Sequence, residues 1–458
     1  METQTLGWAL NEFGAANLGD RRRSKRLVMI GAAVASQIGM AISTACGSAG
    51  ALGASRLFRR KETTLEATLT PHIKQTNKRC RGNGRILAVQ DTTTLDYTSH
   101  KSKRGLGPMA TCQKSRGLLM HSVVAVRDKT PLGLLGVQIW ARDEAARGSR
   151  HERHERPVCE KESNKWLVGL EQAQANTSKN RSLLVVGDRE SDVYALFVAP
   201  RRRNVDLLVR VAHNRALAVC CGEKRYIQDA LNSAEVVGEH EVEVPRQGKR
   251  AARKAKLEVR VARVSLKAPG HGVDKHPKEQ VEVSLVWAFE RAPEQEEPLE
   301  WVLLCTEVVD GLSSAVEMIG AYSTRWMIEE FHHVLKSGCK VERIQFDTVD
   351  SMLPAIGVLA VVAWRVLYLA KLARSSPEID ASEVADKDEV EVLNQWLAYE
   401  GKKYRIRTAR DFTIAVATLG GFLARKSDGM PGTKNVWQGL RDLTFLIMGY
   451  KVAARSTM

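Results

Sequence analysis

The chain has 458 residues, which is enough for two or three domains with hydrophobic cores of their own. Lysine and arginine (69) outnumber aspartate and glutamate (53) by 16, and the pI is about 9.5, so we expect a polyanionic partner. Because the eight cysteines form no CxxC pair and the first 20 residues carry three acids and no basic leader, composition argues against a disulfide scaffold, a cysteine-rich zinc site and a secretory signal peptide.

The positive charge is concentrated near the N-terminus. Residues 1–85 contain 14 lysines and arginines against 5 aspartates and glutamates, a net charge of +9. Asp20 is a suitable N-cap for a helix that begins with the basic run RRRSKR and continues through an apolar segment. The pattern predicts helical structure in this part of the chain.

A stretch of small residues at 45–55 leads into the basic segment RLFRRK. Small side chains allow a helix to approach DNA closely, and Arg56 and Arg59 can then contact phosphates. A plain helical domain would also fit these residues, but the charge favours a helical DNA-binding domain over residues 1–75.

From residue 85 onward the hydrophobic period changes to that of strands. The predicted strands are RILAVQ (85–90), LLMHSVVAV (118–126), GLLGVQIW (133–140), LLVVG (183–187) and DLLVRV (206–211). Helical patterns separate the later strands. This order predicts an α/β domain over residues 76–370, built on a mixed sheet with flanking helices.

Residues 215–300 read as antiparallel strands, and we interpret them as a β-rich insertion in the α/β domain. The apolar stretch 352–370 could almost span a bilayer by length, but it contains an arginine and has no companion span, which favours a buried core helix and no membrane association. Residues 371–458 are predicted to form a helical C-terminal region.

Three carboxylates stand where such a sheet could bring them together. Asp91 and Asp188 each follow a predicted buried strand, and open α/β sheets bind ligands at that edge. Glu329 lies on a helix that can cross the same sheet. Converging carboxylates repel one another unless a cation neutralises them, and carboxylate oxygens favour Mg²⁺ or Mn²⁺. Glu190 and Asp192 lie so close to Asp188 that chemistry alone leaves the choice of ligand open.

The segment YSTRWMIEEFHHVLK carries Tyr322, Arg325, Glu329 and Lys336. At about 100° per residue, the last three lie roughly 60°, 20° and 40° from Tyr322, so one continuous helix would present all four on a single face about 21 Å long. A phenol, a guanidinium and an ammonium around an acid suit a surface that grips phosphates and holds a metal. An ordinary solvated face with ion pairs is the alternative.

Three segments, VQDTTTLDY, VVGDRESDVYA and YSTRWMIEEFHHVLKSG, resemble the acidic motifs of bacterial DDE transposases with an RNase H-like fold, and most closely the cut-and-paste type named Tn-five. The third segment is similar to that group's Y-x2-R-x3-E-x6-K signature at every signature position. The resemblance implies an RNase H-like catalytic domain, a helical DNA-binding domain before it, and a helical dimerisation region after it.

The resemblance also implies roles for individual residues. Asp91, Asp188 and Glu329 would hold two Mg²⁺ or Mn²⁺ ions. Phosphate contacts near the cleavage site would come from Tyr322, Arg325 and Lys336, and a further DNA contact would come from Arg210. Trp301 would stack on a base flipped out of the duplex.

The implied activity is cut-and-paste transposition, with hydrolysis and transesterification of phosphodiesters through a DNA hairpin. Transposon-end duplex DNA and target DNA would be the substrates, and the active form would be a homodimer in a synaptic complex. The protein would be cytoplasmic and associated with the nucleoid. Two alternatives stay open, a catalytically silent DNA-binding inhibitor and an RNase H-like nuclease without strand transfer.

Overall fold

The computed structural model describes residues 5–109, 114–144, 156–218, 224–244, 253–270, 274, 276, 279–291, 298–425 and 428–456. Helices at both ends of the chain flank a large mixed sheet. The helices before the sheet are α1 (Thr5–Phe13), α2 (Arg21–Ser36), α3 (Ile42–Phe58) and α4 (Leu65–Arg79). The expected helical N-terminal region is therefore present.

Local chemistry explains two features of these helices. The Asp20 carboxylate accepts a hydrogen bond from the backbone N–H of Arg22 at 2.7 Å and caps α2, as predicted. The segment rich in small residues lies in α3, which is kinked at Gly47, where φ is +67°. Glycine adopts this left-handed conformation without a Cβ clash, so the kink follows from the residue type.

Twelve strands in the described part of the chain form one sheet. They are β1 (Ile86–Asp96), β2 (Gly107–Pro108), β3 (Arg116–Arg127), β4 (Thr130–Trp140), β5 (Leu183–Gly187), β6 (Val205–Arg210), β7 (Ala216–Leu217), β8 (Arg225–Tyr226), β9 (Glu235–Val244), β10 (Arg253–Lys267), β11 (Gln280–Glu290) and β12 (Glu300–Cys305). The order is β2-β3-β1-β5-β6-β12-β11-β10-β7-β8, with β4 beside β3 and β9 beside β10.

The sheet is mixed, as expected. Strand β5 lies parallel to both β1 and β6, whereas β3 pairs antiparallel with β1 and β4. The β3–β4 hairpin turns through Asp128 and Lys129, with φ values of +49° and +60°. Two consecutive positive φ angles are typical of the tight turn whose twist matches that of a hairpin.

The predicted β-rich insertion continues the same sheet. Strands β9, β10 and β11 pair antiparallel in sequence, and β11 joins β12, which in turn pairs with β6. The insertion therefore adds strands to the edge of the α/β sheet through β12, and it packs as an extension of the domain core.

The two faces of the sheet are covered by separate cores. The helices are α5 (Asn164–Ala175), α6 (Tyr194–Val198), α7 (Ile227–Asn232), α8 (Leu312–Ser323), α9 (Trp326–His333), α10 (Val349–Ser375), α11 (Lys387–Tyr399), α12 (Ala409–Leu419) and α13 (Thr433–Ser456). Trp166 of α5 packs in the core that contains Ala88, and the buried α10 packs in the core that contains Val89. Successive residues of β1 thus enter opposite cores, as strand geometry requires.

Helix α10 is long and apolar enough to cross a membrane, but 89% of its most hydrophobic window is buried inside the protein. This burial agrees with the expected core helix. Two predicted domain boundaries need correction, because 75/76 falls inside α4 and 370/371 falls inside α10. Beyond these points, Arg79 of α4 donates to the Leu132 carbonyl of β4 at 2.6 Å, and Leu372 and Ala373 of α10 are buried.

Candidate active site

Asp91 lies within a strand and not at the end of one, which corrects the sequence-based placement. Strand β1 runs on to Asp96 because Thr92, Thr93 and Thr94 suit an extended chain and pair with β3. The last parallel pair with β5 is Val89 with Val186, so Asp91 still stands just beyond the carboxyl end of the parallel region. Its carboxylate accepts a hydrogen bond from the Thr92 backbone N–H at 2.7 Å.

Asp188 directly follows β5, as predicted, and caps a short turn of 3-10 helix. Its carboxylate accepts a hydrogen bond from the backbone N–H of Glu190 at 2.9 Å. Since β1 and β5 are parallel neighbours, Asp91 and Asp188 share one edge of the sheet.

The other acids after β5 have different partners. Glu190 lies 2.9 Å from the ammonium of Lys165 and is largely exposed. Asp192 is buried, 2.6 Å from the guanidinium of Arg215, and also accepts backbone N–H groups. Because Glu190 and Asp192 have these other partners, Asp188 is the acid of this group that faces Asp91. The sequence alone left open which of the three acids this would be.

The helix predicted to carry the four signature residues is interrupted. Helix α8 ends at Ser323 and α9 begins at Trp326, and a π-turn over Val334–Gly338 follows α9. The hydroxyls of Ser323 and Thr324 both donate to the Gly320 carbonyl, at 2.7 and 3.0 Å. Such side-chain bonds compete with the helical pattern and explain the break.

The signature residues nevertheless remain neighbours. Arg325 lies 6.0 Å from the ring centroid of Tyr322. The Lys336 ammonium donates to the Thr94 carbonyl of β1 at 3.0 Å. The break and the π-turn together therefore keep this segment against the strand that carries Asp91.

Arg325 links two of the three predicted acids. Its guanidinium lies 2.5 Å from the Glu329 carboxylate and 3.4 Å from the Asp91 carboxylate, and the side chain is only 15% exposed. Glu330, the neighbouring acid, pairs instead with Lys371 at 2.5 Å. Glu329 is thus the acid of the pair that reaches Asp91, through Arg325.

Burial and like charge disfavour ionisation at this site. Burial, together with the charge of Asp188, raises the pKa of Asp91 to about 6, and Glu329 adds to the rise. Arg325 and the Thr92 N–H oppose it. Burial also raises the pKa of Asp188. The carboxylates therefore interact electrostatically, as expected for groups that converge on one cation.

The donor chemistry of these acids fits a hard divalent cation, since each contributes carboxylate oxygens. A cation already lies among them, the guanidinium of Arg325. In this arrangement, no three acidic, histidine or cysteine side chains within the described residues are grouped closely enough to ligate one ion. Glu329 is held by Arg325 in the arrangement observed here, so it is not positioned to join Asp91 and Asp188 around a metal.

Trp301 lies beside the signature segment. Its ring meets that of Tyr322 edge to face, with centroids 5.6 Å apart. A cavity of about 630 Å³ opens next to it and is also lined by Trp326, Leu299 and Met327. Trp326 is 46% exposed, which is unusual for so large an apolar side chain.

The remaining predicted DNA contacts lie on other elements. Arg210, at the end of β6, donates to the Glu300 carbonyl at 3.0 Å, one residue from Trp301. Arg56 is exposed on α3, and the exposed Arg59 directly follows that helix, 3.7 Å from Asp347. The structure does not bring these two arginines into the acidic centre.

Sequence reasoning missed a polar chain behind Asp91. His121 is buried, which lowers its pKa to about 3, so the ring is neutral. Its Nε2 lies 2.9 Å from the Gln90 side-chain oxygen and must donate, so its Nδ1 accepts from the Thr92 hydroxyl at 2.9 Å. The backbone N–H of Thr92 in turn donates to the Asp91 carboxylate. The sequence signal that could have indicated this polar chain is the single histidine within the apolar strand LLMHSVVAV.

Lys165 and Trp326 were missed as well. Lys165 is 8% exposed, yet its ammonium reaches Glu190, two residues from Asp188. The position of a lysine at the start of an apolar helix does not predict such burial. Trp326 directly follows Arg325, in the segment predicted as one continuous helix.

Comparison with known proteins agrees with this geometry. Residues 82–363 match the family described as "Transposase DDE domain", residues 6–63 match "Transposase DNA-binding", and residues 361–457 match "Transposase Tn5 dimerisation domain". A DDE domain implies dependence on divalent metal ions. The flanking matches are to domains described by DNA binding and by dimerisation.

One similar solved structure is a cryo-EM structure of a piggyBac transposase synaptic complex with hairpin DNA. Its identity to this chain is 10% and the TM-score is 0.34; the match covers 85% of this chain and 58% of the other. The chain thus spans less than two thirds of that protein's length, and the likeness is too remote to carry an argument. The domain match over 82–363 alone covers more than half of the sequence, and with the two flanking matches it shows that the chain belongs to the DDE transposases of the Tn5 type.

Proposed function

We propose that this protein performs cut-and-paste transposition through a DNA hairpin, with Asp91, Asp188 and Glu329 as the ligands of two Mg²⁺ or Mn²⁺ ions. The observation that carries the proposal is the shared guanidinium: Arg325 lies 2.5 Å from Glu329 and 3.4 Å from Asp91, and Asp188 follows β5, the parallel neighbour of β1. Two acids from distant segments thus share one positive charge, and the third stands at the same edge of the sheet as Asp91.

The acids have the chemistry that the reaction requires. Two bound divalent ions would activate a water or a 3′-hydroxyl and stabilise the leaving oxygen of a phosphodiester. Asp91 and Asp188 would provide oxygen ligands from the sheet edge, and Glu329 would provide them from α9. Because each step is an in-line displacement at phosphorus, one centre could serve nicking, hairpin formation, hairpin opening and strand transfer.

Phosphate binding is assigned to the other signature residues. Lys336 lies on the β1 side of the site, 3.0 Å from the Thr94 carbonyl and 3.5 Å from Glu342. Tyr322 and Arg325 lie together at the break between α8 and α9. A hydroxyl, a guanidinium and an ammonium around the acids would grip the backbone of a bent DNA end.

The aromatic cavity suits an unpaired base. Trp301 and Trp326 line a space of about 630 Å³ next to Tyr322. A base that leaves the duplex at a tight hairpin loses its stacking, and an aromatic platform restores about 1–3 kcal/mol. We therefore assign base capture to Trp301.

DNA outside the active site would contact the arginines on the surrounding elements. Arg56 on α3 and Arg59 just after it, both exposed, would bind phosphates of the transposon end, and Arg210 would contact DNA next to Trp301. In a synaptic homodimer, each subunit would bind one end and cleave the other. We propose this arrangement and a nucleoid-associated, cytoplasmic location from the family match.

Purified protein, Mg²⁺ and labelled duplexes from the DNA that flanks the gene would test the proposal on a denaturing gel. We expect a hairpin product. Open nicks without hairpins would favour the nuclease, whereas binding without cleavage would favour the inhibitor. Duplexes of scrambled sequence control for non-specific cutting.

A further inference from the structure

We infer that Arg325 is an internal counter-ion that must leave Glu329 before this acid can bind a divalent ion, so that ion binding and DNA binding are coupled through one side chain. The inference rests on the proposed metal site of Asp91, Asp188 and Glu329. It adds an order of events to that site: the guanidinium moves to a DNA phosphate, and the acids then become free for the ion.

Arg325 contacts both Glu329 and Asp91 and occupies the space between them. One nitrogen of the guanidinium lies 2.5 Å from Glu329 and another lies 3.4 Å from Asp91, and the arginine is 85% buried. These oxygens are the ones that an ion would require. A guanidinium and a divalent ion cannot both occupy the space between the two carboxylates.

Electrostatics explain why a cation is needed there. Buried carboxylates that face one another are unstable without a compensating charge, and the loss of one partner from a buried pair is strongly destabilising. Arginine suits the role because its planar fork reaches two carboxylates at once, which the single ammonium of a lysine cannot do in the same geometry.

The position of Arg325 allows it to exchange partners. It stands at the break between α8 and α9, where Ser323 and Thr324 bond back to Gly320 and interrupt the helix. The exposed Trp326 follows it directly, and the ring centroid of Tyr322 lies 6.0 Å from its guanidinium. A DNA phosphate bound beside this break would offer the fork two oxygens and additional charge, and charge-assisted bidentate pairs of this kind are strong.

The coupling is reciprocal. If phosphate binding removes Arg325 from Glu329, DNA raises the affinity for the ion, and the ion raises the affinity for DNA by the same factor. The protein without DNA would then bind ions weakly, which would restrict cleavage chemistry to the complex.

Titration of DNA-free protein with Mn²⁺, followed by the EPR signal of the unbound ion, tests the inference without any activity measurement. We expect R325Q to bind Mn²⁺ about tenfold more tightly than the wild type, within the usual range of coupling between sites. R325K keeps a positive charge but loses the fork, and we expect an intermediate affinity. Equal or weaker binding by both folded variants would overturn the inference.

Two further variants separate this inference from the metal site itself. D91N and E329Q should weaken Mn²⁺ binding in the R325Q background. If they have no effect, the proposed metal site is wrong. If they weaken binding while R325Q and R325K match the wild type, the site stands and the counter-ion role is wrong.

Addition of a short DNA duplex tests the exchange. After subtraction of the Mn²⁺ bound by the duplex alone, we expect DNA to increase the Mn²⁺ affinity of the wild type and to increase that of R325Q much less. An equal increase in both proteins would contradict the exchange. Thermal unfolding of each variant, with and without Mn²⁺, verifies folding, and the ion should stabilise R325Q more than the wild type.

Discussion

The ring of Trp301 meets the ring of Tyr322 edge to face, with centroids 5.6 Å apart. This contact joins the aromatic cavity to the segment that carries Arg325 and Glu329. The proposed base capture in the cavity and the proposed phosphate chemistry at the acids would therefore take place side by side.

W301A should reduce hairpin formation more than the first nick. Loss of a stacking platform removes about 1–3 kcal/mol, which corresponds to roughly 5- to 150-fold in the hairpin step. Gel quantification of nicked and hairpin products over time provides the measurement. W301F retains an aromatic face and should keep most of the hairpin yield. An equal loss of nicking and hairpin formation in W301A would contradict the assigned role.

E329Q should abolish cleavage while DNA binding is retained. The substitution removes a charged ligand from the centre, and we expect a loss of about two orders of magnitude or more in cleavage rate. E330Q is the matched control, because Glu330 pairs with Lys371 at 2.5 Å and should be dispensable for chemistry. Gel shifts and cleavage assays on the same duplex compare the two variants. Normal cleavage by E329Q and loss in E330Q would reverse the assignment.

K336A should slow the hairpin step more than it weakens dimerisation. The Lys336 ammonium contacts the Thr94 carbonyl and Glu342 within the same subunit, so the dimer should be unaffected. Light scattering measures the oligomeric state, and single-turnover kinetics resolve nicking from hairpin formation. K340A, two residues beyond the end of the π-turn, serves as a control of equal charge change. An unchanged hairpin rate in K336A would exclude a phosphate contact there.

Stability should fall below about pH 6.5 because of His72. This histidine is fully buried, its Nδ1 lies 2.6 Å from Glu12, and its Nε2 accepts the Leu134 backbone N–H at 3.0 Å. Burial lowers its pKa below the ordinary 6.5, so the folded ring is neutral while the unfolded ring gains a proton. The stability that neutral His72 contributes to the folded protein is therefore present above pH 6.5 and is lost as the pH falls.

One proton taken up on unfolding gives a slope that approaches about 1.4 kcal/mol per pH unit. Denaturant unfolding of the metal-free protein between pH 7 and pH 5 would measure this slope. His72→Gln should lower the slope by the share of one proton, because the buried His121 and His332, whose pKa values burial lowers to about 3, also gain protons on unfolding, whereas substitution of the exposed His213 by Gln should leave it unchanged. A slope that is the same in His72→Gln and in the wild type would show that another group is responsible.

Much of the fold follows from sequence patterns that act locally. The capped helix after Asp20, the β3–β4 hairpin and the strand that ends before Asp188 were all predictable, because capping residues and alternating apolar residues set them. Threonines after Asp91 suit a strand, so a closer reading of β-branched residues would have extended β1 as observed.

Other features depend on tertiary contacts. The break at Thr324 requires side-chain bonds to Gly320 that compete with a strong helical pattern. The choice of Glu329 over Glu330 depends on where Arg325 and Lys371 lie after folding. The contact between Arg325 and Asp91 joins positions 234 residues apart, and no local pattern encodes such a pair.

A crystal structure of the protein with end DNA and Mn²⁺, with the ions located by anomalous scattering, tests the central claim most directly. We predict anomalous peaks bonded to the carboxylates of Asp91, Asp188 and Glu329, with Arg325 moved onto a DNA phosphate. Peaks at other side chains, with Glu329 still held by Arg325 in the DNA complex, would contradict the account.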